Sequence, residues 1–256
     1  MRSFKKVKKI GKIQISLILI FAAVLLYCGI RALIIYNEYG KADKVYASAR
    51  AELFEVRQIR ETPAQTQVPA EPILEVDFAK LRQQSADAFG WLWIPDTNVS
   101  YPVVQSSDNE KYLYYTFDGE KNGSGAIFMD ARCLRDMSGR HTIIYGHNMR
   151  GGSMFGQLSQ FDDQSYFDSH PYIYIITEEE VFKYKIFSQY ITSATPDSYQ
   201  LDFESGDQFD GYLNRLQRLS RQVSDWAPGE DNRVLTLSTC VNDNAKRRVI
   251  HAGLTG

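Results

Sequence analysis

Cys240 is the residue whose type and setting point most directly to chemistry. Residues 234–240 alternate in the manner of a β-strand, residues 241–247 are rich in turn-forming side chains, and Arg248 opens the apolar stretch that follows. If the two stretches pair as a hairpin, the thiol lies beside a guanidinium, which favours the thiolate and offers donors to an oxyanion. The segment therefore predicts a cysteine nucleophile, with a small buried strand cysteine as the simpler alternative.

His147 is the candidate general base. It follows Tyr145 and Gly146 at the end of a short apolar run, and glycine can adopt backbone conformations that other residues avoid. We therefore expect the chain to turn at Gly146 and to present the imidazole, which exchanges protons near neutral pH. Cysteine beside histidine is an arrangement for covalent catalysis, and a hydrated loop histidine is the alternative without function.

These segments together resemble the sortase family, and within it class B. The resemblance rests on TLSTC at residues 236–240, on Arg248 eight residues further on, and on YGHNMRGGSMFGQL at residues 145–158. The motifs occur in this family's order, and the likeness extends from about residue 77 to residue 254. It implies a closed eight-stranded β-barrel and a cysteine transpeptidase. We expect no cofactor, and no metal because no two cysteines or histidines have the spacing of zinc ligands.

The resemblance also implies a role for each candidate. Cys240 attacks a peptide carbonyl to give a thioester, and His147 protonates the leaving amine before accepting a proton from the incoming one. Arg248 stabilises the oxyanion, with Arg247 as the rival, because one loop residue decides which arginine faces the thiol. The sequence identifies no carboxylate that would orient His147.

A peptide-binding groove is the next implication of the resemblance. Asn109 and Leu113 match positions that line the groove of class B sortases. Three residues close to the catalytic pair are expected to join them, namely Tyr145, Ser238 and Thr239.

The implied substrates are a secreted protein with a C-terminal sorting signal, cleaved after threonine, and an amine of peptidoglycan or of a lipid-linked wall precursor. The sorting motif is left open between Asn-Pro-x-Thr and Ser-Pro-x-Thr types. Three alternatives remain: a cysteine peptidase that transfers only to water, a sortase that polymerises pilins, and a surface scaffold without catalysis. An added amine separates the first alternative, because only a transpeptidase diverts product to the ligated form.

The N-terminal region predicts a membrane anchor. Residues 1–12 carry six basic side chains and no acid, and residues 13–36 form an apolar run. Basic flanks remain in the cytoplasm, so we expect a single span with the N-terminus inside and the catalytic part outside. A cleaved signal peptide is the alternative, although no small-residue cleavage site follows the run. The net charge of −2 argues against a nucleic-acid partner.

The rest of the chain divides into an approach segment, residues 37–76, and a catalytic domain, residues 77–256. Apolar side chains at helical intervals predict a helix over residues 37–60, and prolines in residues 61–72 predict an extended strap. Asp77 is the expected N-cap of a second helix, which includes Ala88 and Phe89 and is ended by Gly90.

The pattern of the catalytic domain predicts the fold class. Alternating apolar residues indicate about eight short strands, and a period of three to four residues indicates an amphipathic helix over residues 207–223, just before the cysteine strand. Many short strands with few helices are typical of a mostly β, mainly antiparallel fold. The predicted architecture is a closed barrel with N-terminal helices and one inserted helix.

The remaining reactive side chains receive structural interpretations. A disulfide between Cys133 and Cys240 fits an oxidising compartment but would remove the nucleophile, so we expect free thiols. The three glutamates at residues 178–180 fit a solvated hairpin tip, with a cation-binding loop as the alternative. His141 and His170 are expected to be structural.

Overall fold

The computed structural model describes residues 11–57, 72–193, 198–241 and 246–255. Within them the chain forms four α-helices: α1 (Lys12–Leu53), α2 (Phe78–Gln84), α3 (Gln164–Ser169) and α4 (Gly206–Leu219). The strands in chain order are β1 (Phe54–Arg57), β2 (Ile73–Val76), β3 (Ala88–Trp93), β4 (Ser100–Val104), β5 (Ile127–Met129), β6 (His141–Tyr145), β7 (Tyr172–Thr177), β8 (Val181–Ser193), β9 (Val234–Val241) and β10 (Lys246–Leu254).

Eight of these strands close into a barrel in the order β10-β8-β7-β3-β4-β5-β6-β9, which confirms the predicted fold class. Most neighbours are antiparallel, but β4 pairs with β5 and β6 pairs with β9 in parallel. The β6–β9 ladder runs from His141 opposite Val234 to Tyr145 opposite Ser238. Because parallel strands end at the same edge of a sheet, the residues after Tyr145 and after Ser238 emerge side by side.

The alternation along β9 separates two apolar clusters. Leu235 and Leu237 join the main core, whereas Val234 belongs to a second cluster beneath α4. That cluster is built from the apolar side of α4, which begins after the N-cap Ser205 and ends at Leu219. The inserted helix is therefore confirmed, and it covers one outer face of the barrel. It ends four residues earlier than the sequence pattern suggests, and Val223 is exposed.

The helix predicted over residues 37–60 is wrong at its end. Helix α1 stops at Leu53, and β1 pairs antiparallel with β2 beyond it. Up to Lys41 the helix forms a unit of its own, long and apolar enough to cross a membrane. After that point one side of the helix is buried, through residues at helical spacing: Ala42, Tyr46, Ala49 and Leu53.

The second helix begins as predicted, since the Asp77 side chain accepts from the backbone N–H of Lys80 at 3.0 Å. It ends at Gln84, not near Gly90, because the chain from Ala88 onward pairs with β4 on one side and β7 on the other. Two ladders of hydrogen bonds outweigh the local helical spacing of a few apolar residues.

Other elements follow the sequence expectations or lie outside the described residues. The β7–β8 hairpin forms, and at its tip Glu178 makes an ion pair with Arg82, as a solvated tip would. Residues 1–10 of the basic tail, residues 58–71 of the proline-containing strap, and residues 242–245 between the last two strands lie outside the described part of the chain.

Candidate active site

His147 and Cys240 are brought together by the parallel ladder between β6 and β9. Tyr145 lies opposite Ser238, and each candidate follows its strand residue by two positions. Neighbouring strands lie about 4.8 Å apart, so equivalent positions on them are within side-chain reach. Both residues line the same two cavities. The structure thus unites a thiol and an imidazole that are far apart in the sequence.

The second neighbour of the thiol is Arg247. In the antiparallel β9–β10 ladder Cys240 lies opposite Arg247, and Thr239 lies opposite Arg248. Directly opposed residues share a face of the sheet, whereas successive residues alternate between faces. Arg247 and Cys240 both line the cavity that also holds His147.

Arg248, the arginine expected to stabilise the oxyanion, has a different partner. Its guanidinium is almost completely buried and bonds to the Asp162 carboxylate at 2.5 Å. The register favours the rival Arg247, while Arg248 lines the other of the two cavities together with Cys240 and His147. An oxyanion role for either arginine stays a prediction. The sequence could not settle this point, because the number of residues in the connecting turn determines which arginine opposes the thiol.

The backbone of Leu113 orients His147. The Nε2 atom of the imidazole lies 2.8 Å from the Leu113 carbonyl oxygen. A carbonyl oxygen only accepts hydrogen bonds, so Nε2 carries a proton and Nδ1 is the nitrogen left for proton exchange. The orienting role for which the sequence offered no carboxylate is filled by a main-chain group.

Gly125 packs directly against the His147 ring. Its φ is +60°, and a Cβ built there would lie 2.5 Å from the Tyr112 carbonyl oxygen and 2.9 Å from Cδ2 of His147. The Gly125 carbonyl oxygen accepts a hydrogen bond of 2.6 Å from the hydroxyl of Tyr46 on α1. The absence of a side chain at Gly125 allows the imidazole to pack directly against the backbone.

Gly146 is required for a different reason from the one expected. Its φ is not in the left-handed region, but a Cβ there would lie 2.5 Å from Cδ1 of Ile127 and 2.8 Å from Cδ2 of Phe155. The backbone N–H of Phe155 donates to the His147 carbonyl oxygen at 2.9 Å and closes the loop. Close packing beneath the loop, not backbone conformation, selects glycine at this position.

All five predicted groove residues line one cavity of about 200 Å³ together with His147, Cys240 and Arg247. The Thr239 hydroxyl is buried and has no hydrogen-bond partner among the residues that the structure describes, which is costly unless a ligand supplies one. The Asn109 amide oxygen accepts from the backbone N–H of Ala131 at 2.8 Å, so its amide nitrogen is the group left to donate. The structure therefore brings together the residues that the resemblance grouped.

Two further residues, which bond to residues lining this cavity, were missed. Tyr199 bonds through its hydroxyl to Ser238 at 2.9 Å and packs its ring near that of Tyr145. It lies in a polar stretch without periodicity, so no sequence pattern marks it.

Asp130 is the other missed residue. Burial opposes its ionisation, but donors from Arg132 and from the Tyr145 hydroxyl outweigh burial and lower the pKa of Asp130 to about 2. The carboxylate thus fixes the tyrosine that forms one wall of the cavity. An acid directly after a buried strand was the available signal.

The comparisons with known proteins agree with this geometry. Residues 92–255 match the Sortase domain family. Sortase B of Listeria monocytogenes is 33% identical over 69% of this chain and 73% of its own length. Sortase B of Staphylococcus aureus is 31% identical over 68% of this chain and 73% of its own length. The chain belongs to the sortase family, class B.

Solved structures extend the similarity to three dimensions. A crystal structure of sortase B from Bacillus anthracis matches this sortase with a TM-score of 0.74 and 31% identity, covering 86% of this chain and 99% of that one. A substrate complex of Staphylococcus aureus sortase B matches with a TM-score of 0.67 and 30% identity, covering 70% and 84%. This sortase is therefore a cysteine transpeptidase, as the resemblance implied.

Cys133 of the sortase differs sharply from Cys240. Cys133 is buried in the core, where its Sγ accepts from the backbone N–H of Ile143 at 3.4 Å. Burial raises the pKa of Cys133 to about 11, so the thiol stays protonated. Cys240 is partly exposed and opens onto both cavities, and the two cysteines are free thiols.

Proposed function

We propose that this sortase cleaves a C-terminal sorting signal after threonine and joins the released protein to an amine of peptidoglycan or of a lipid-linked wall precursor. The observation that carries the proposal is the position of Cys240 on the middle of three strands. His147 lies two residues beyond the end of β6 and lines the same cavity, and Arg247 lies opposite Cys240 on β10. The two positive partners approach the sulfur from opposite edges of one strand.

The first half of the reaction forms a thioester. The Cys240 thiolate attacks the threonine carbonyl, and the oxyanion accepts hydrogen bonds from the Arg247 guanidinium. His147, doubly protonated, gives the Nδ1 proton to the departing amine as the peptide bond breaks. Its Nε2 keeps its own proton and donates it in a hydrogen bond to the Leu113 carbonyl oxygen, which keeps the ring in one orientation.

The second half transfers the acyl group. An incoming amine attacks the thioester carbon, the carbon–sulfur bond breaks, and the amine proton moves to Nδ1 of His147. The groove supplies contacts for the sorting signal from the Thr239 hydroxyl and the Asn109 amide nitrogen. Tyr145, Ser238 and Leu113 line the same cavity.

We also infer that residues 13–36 anchor the sortase in the cell membrane with residues 1–12 in the cytoplasm. The basic cluster before the apolar run supports this orientation. Secreted substrates and lipid-linked acceptors meet at the external face of the cell membrane, so an anchored enzyme lies where both are available. Protease added to intact cells should digest residues 42–256 and spare the tail.

The test uses mass spectrometry of the full chain incubated with a peptide that contains Asn-Pro-x-Thr or Ser-Pro-x-Thr. A thioester adduct on Cys240 is expected, and Cys240→Ala should abolish it. Cys133→Ala is the matched control, because it removes a thiol that is protonated and enclosed. Adduct formation by Cys240→Ala would place the nucleophile elsewhere. Adducts that yield only hydrolysed peptide when amines are present would favour the peptidase alternative.

A further inference from the structure

Cys240 and His147 face a second cavity that the sequence did not suggest. This cavity has a volume of about 840 Å³ and shares only those two residues with the cavity of the peptide groove. Its remaining wall comes from the loop between β6 and α3 and from the ends of β9 and β10. A thioester on Cys240 is therefore open to two spaces, of which the groove accounts for one.

The loop that walls this second cavity has a defined shape. The backbone N–H of Gly152 donates to the Met149 carbonyl oxygen at 2.9 Å, and Asn148 forms a β-bridge with Met154. At Gly156 a Cβ would lie 2.3 Å from the Met149 carbonyl oxygen, so the loop folds tightly on itself. These contacts hold Arg150 at the tip of a small closed turn.

The charges on the wall are uneven. Two arginines line the cavity, and none of its described lining residues is acidic. Arg248 is neutralised by Asp162, whereas Arg150 is exposed and has no ion pair among the residues that the structure describes. Side-chain amides supply the other polar groups, from Asn148, Gln157 and Gln160. The wall suits a ligand that carries negative charge.

We propose that this second cavity admits the acceptor amine, and that Arg150 binds a carboxylate carried on the same carbon as that amine. The inference rests on the proposed function, since it needs a thioester on Cys240. The amine nitrogen forms the new bond to the acyl carbon, the carbon–sulfur bond breaks to return the thiolate, and the amine proton goes to Nδ1 of His147. Arg150 contacts the acceptor but no reacting bond.

Electrostatics explain why the carboxylate matters. An ammonium group approaching Arg150 alone meets a like charge, whereas a zwitterionic amino acid group presents an anion to the guanidinium. We therefore expect faster reaction with an acceptor whose amine and carboxylate share one carbon, as at the side-chain end of diaminopimelate. An amine without a neighbouring carboxylate should react more slowly.

The experiment measures capture of the preformed acyl-enzyme by glycine and by glycinamide, which differ only in the carboxylate. The ratio of the two second-order rate constants in the full chain is compared with the ratio in Arg150→Gln at one pH, so the different basicities of the amines cancel. We expect the substitution to lower the ratio about fivefold, the effect of one exposed charge pair. Arg150→Lys should retain most of the preference.

Arg218→Gln is the matched control, because it removes an exposed arginine from α4. Its ratio should equal that of the unaltered chain. If Arg150→Gln forms acyl-enzyme normally and leaves the ratio unchanged, the acceptor inference is wrong while the proposed function stands. If no acyl-enzyme forms with any sorting-signal peptide, both are overturned.

Discussion

Arg247 and Arg248 are neighbours in the chain, yet each lines a different one of the two cavities at Cys240. Arg247 opposes Cys240 and lines the groove cavity, whereas Arg248 is buried against Asp162. We therefore propose that Arg247 acts on the charge that develops during the reaction, whereas the Arg248–Asp162 ion pair holds the loop before α3 against the barrel. Their substitutions are expected to have separable consequences.

Arg247→Ala should lower kcat/KM for a sorting-signal peptide about 100-fold, the usual loss on removal of one oxyanion donor. Its melting temperature should stay close to that of the unaltered chain, because Arg247 lies at the surface of the cavity. Peptide-cleavage kinetics and thermal unfolding measure the two quantities. Full activity in this variant would remove Arg247 from the mechanism.

Arg248→Ala should instead destabilise the fold. It leaves the Asp162 carboxylate, whose side chain is only 39% exposed, without its cation. We expect a loss of about 2 kcal/mol in the free energy of unfolding, reduced from the value for a fully buried pair by the exposure of Asp162. Urea unfolding of the variant checks this, and an unchanged midpoint would contradict the assigned role.

At the scale of elements, the loop before β5 positions the imidazole. Gly125 and Gly119 both have positive φ, +60° and +87°, but only the first lies against His147. Nothing lies within 4 Å of a Cβ built on Gly119. The two glycines thus carry the same backbone requirement and differ in what surrounds them.

Gly125→Ala should reduce peptide cleavage by at least tenfold, because the new methyl group must displace the His147 ring or the Tyr112 carbonyl. Gly119→Ala serves as the control for backbone strain alone, at a cost of about 1 kcal/mol in stability. Its kcat should be preserved. Equal losses of activity in the two variants would show that strain, not displacement of the imidazole, is responsible.

The sequence predicted the elements whose apolar residues recur with a regular helix or strand period. It was less informative where pairing with distant strands determines the secondary structure. The β7–β8 hairpin and the inserted α4 follow alternation and helical spacing closely. Ala88 and Phe89 continue the helical spacing of apolar residues, but they belong to strand β3 because β4 and β7 pair with it on either side. The choice between Arg247 and Arg248 depended on register, which no local pattern encodes. Tyr199 lies in a long connection between β8 and α4. No local pattern predicts its contact with the site, because tertiary packing places it there.

At the scale of the whole molecule, two buried histidines, one on β6 and one on β10, bond to the cysteine strand β9. The Thr236 hydroxyl lies 2.7 Å from a ring nitrogen of His141 and 2.7 Å from one of His251. Burial lowers the pKa of His141 to about 4, and burial together with His141 lowers the pKa of His251 well below its ordinary value. Asp130 and Arg132 exert smaller, opposing effects on His141.

Acid should therefore lower the free energy of unfolding of the catalytic domain already at mildly acidic pH. The unfolded chain binds protons on these histidines below about pH 6.5 and the native chain does not, so stability is full above that pH and declines towards pH 4. His141 alone accounts for about 2 kcal/mol between pH 7 and pH 5. Urea unfolding of the full chain in detergent at the two pH values measures the difference.

His141→Gln should flatten this pH dependence, and His170→Gln should leave it unchanged. His170 stacks on Tyr166 outside the core and is the matched histidine control. A pH dependence that survives in the His141 and His251 variants would assign it to other groups.

The pairing of β6 with β9 has one more consequence. These strands are distant in the chain, and their seam is one that the barrel must join to become closed. Before the seam joins, Cys240 has an arginine from its own hairpin but no imidazole. A nascent polypeptide accordingly lacks the thiol–imidazole pair until this ladder forms. The acyl transfer proposed for this protein therefore requires the closed barrel.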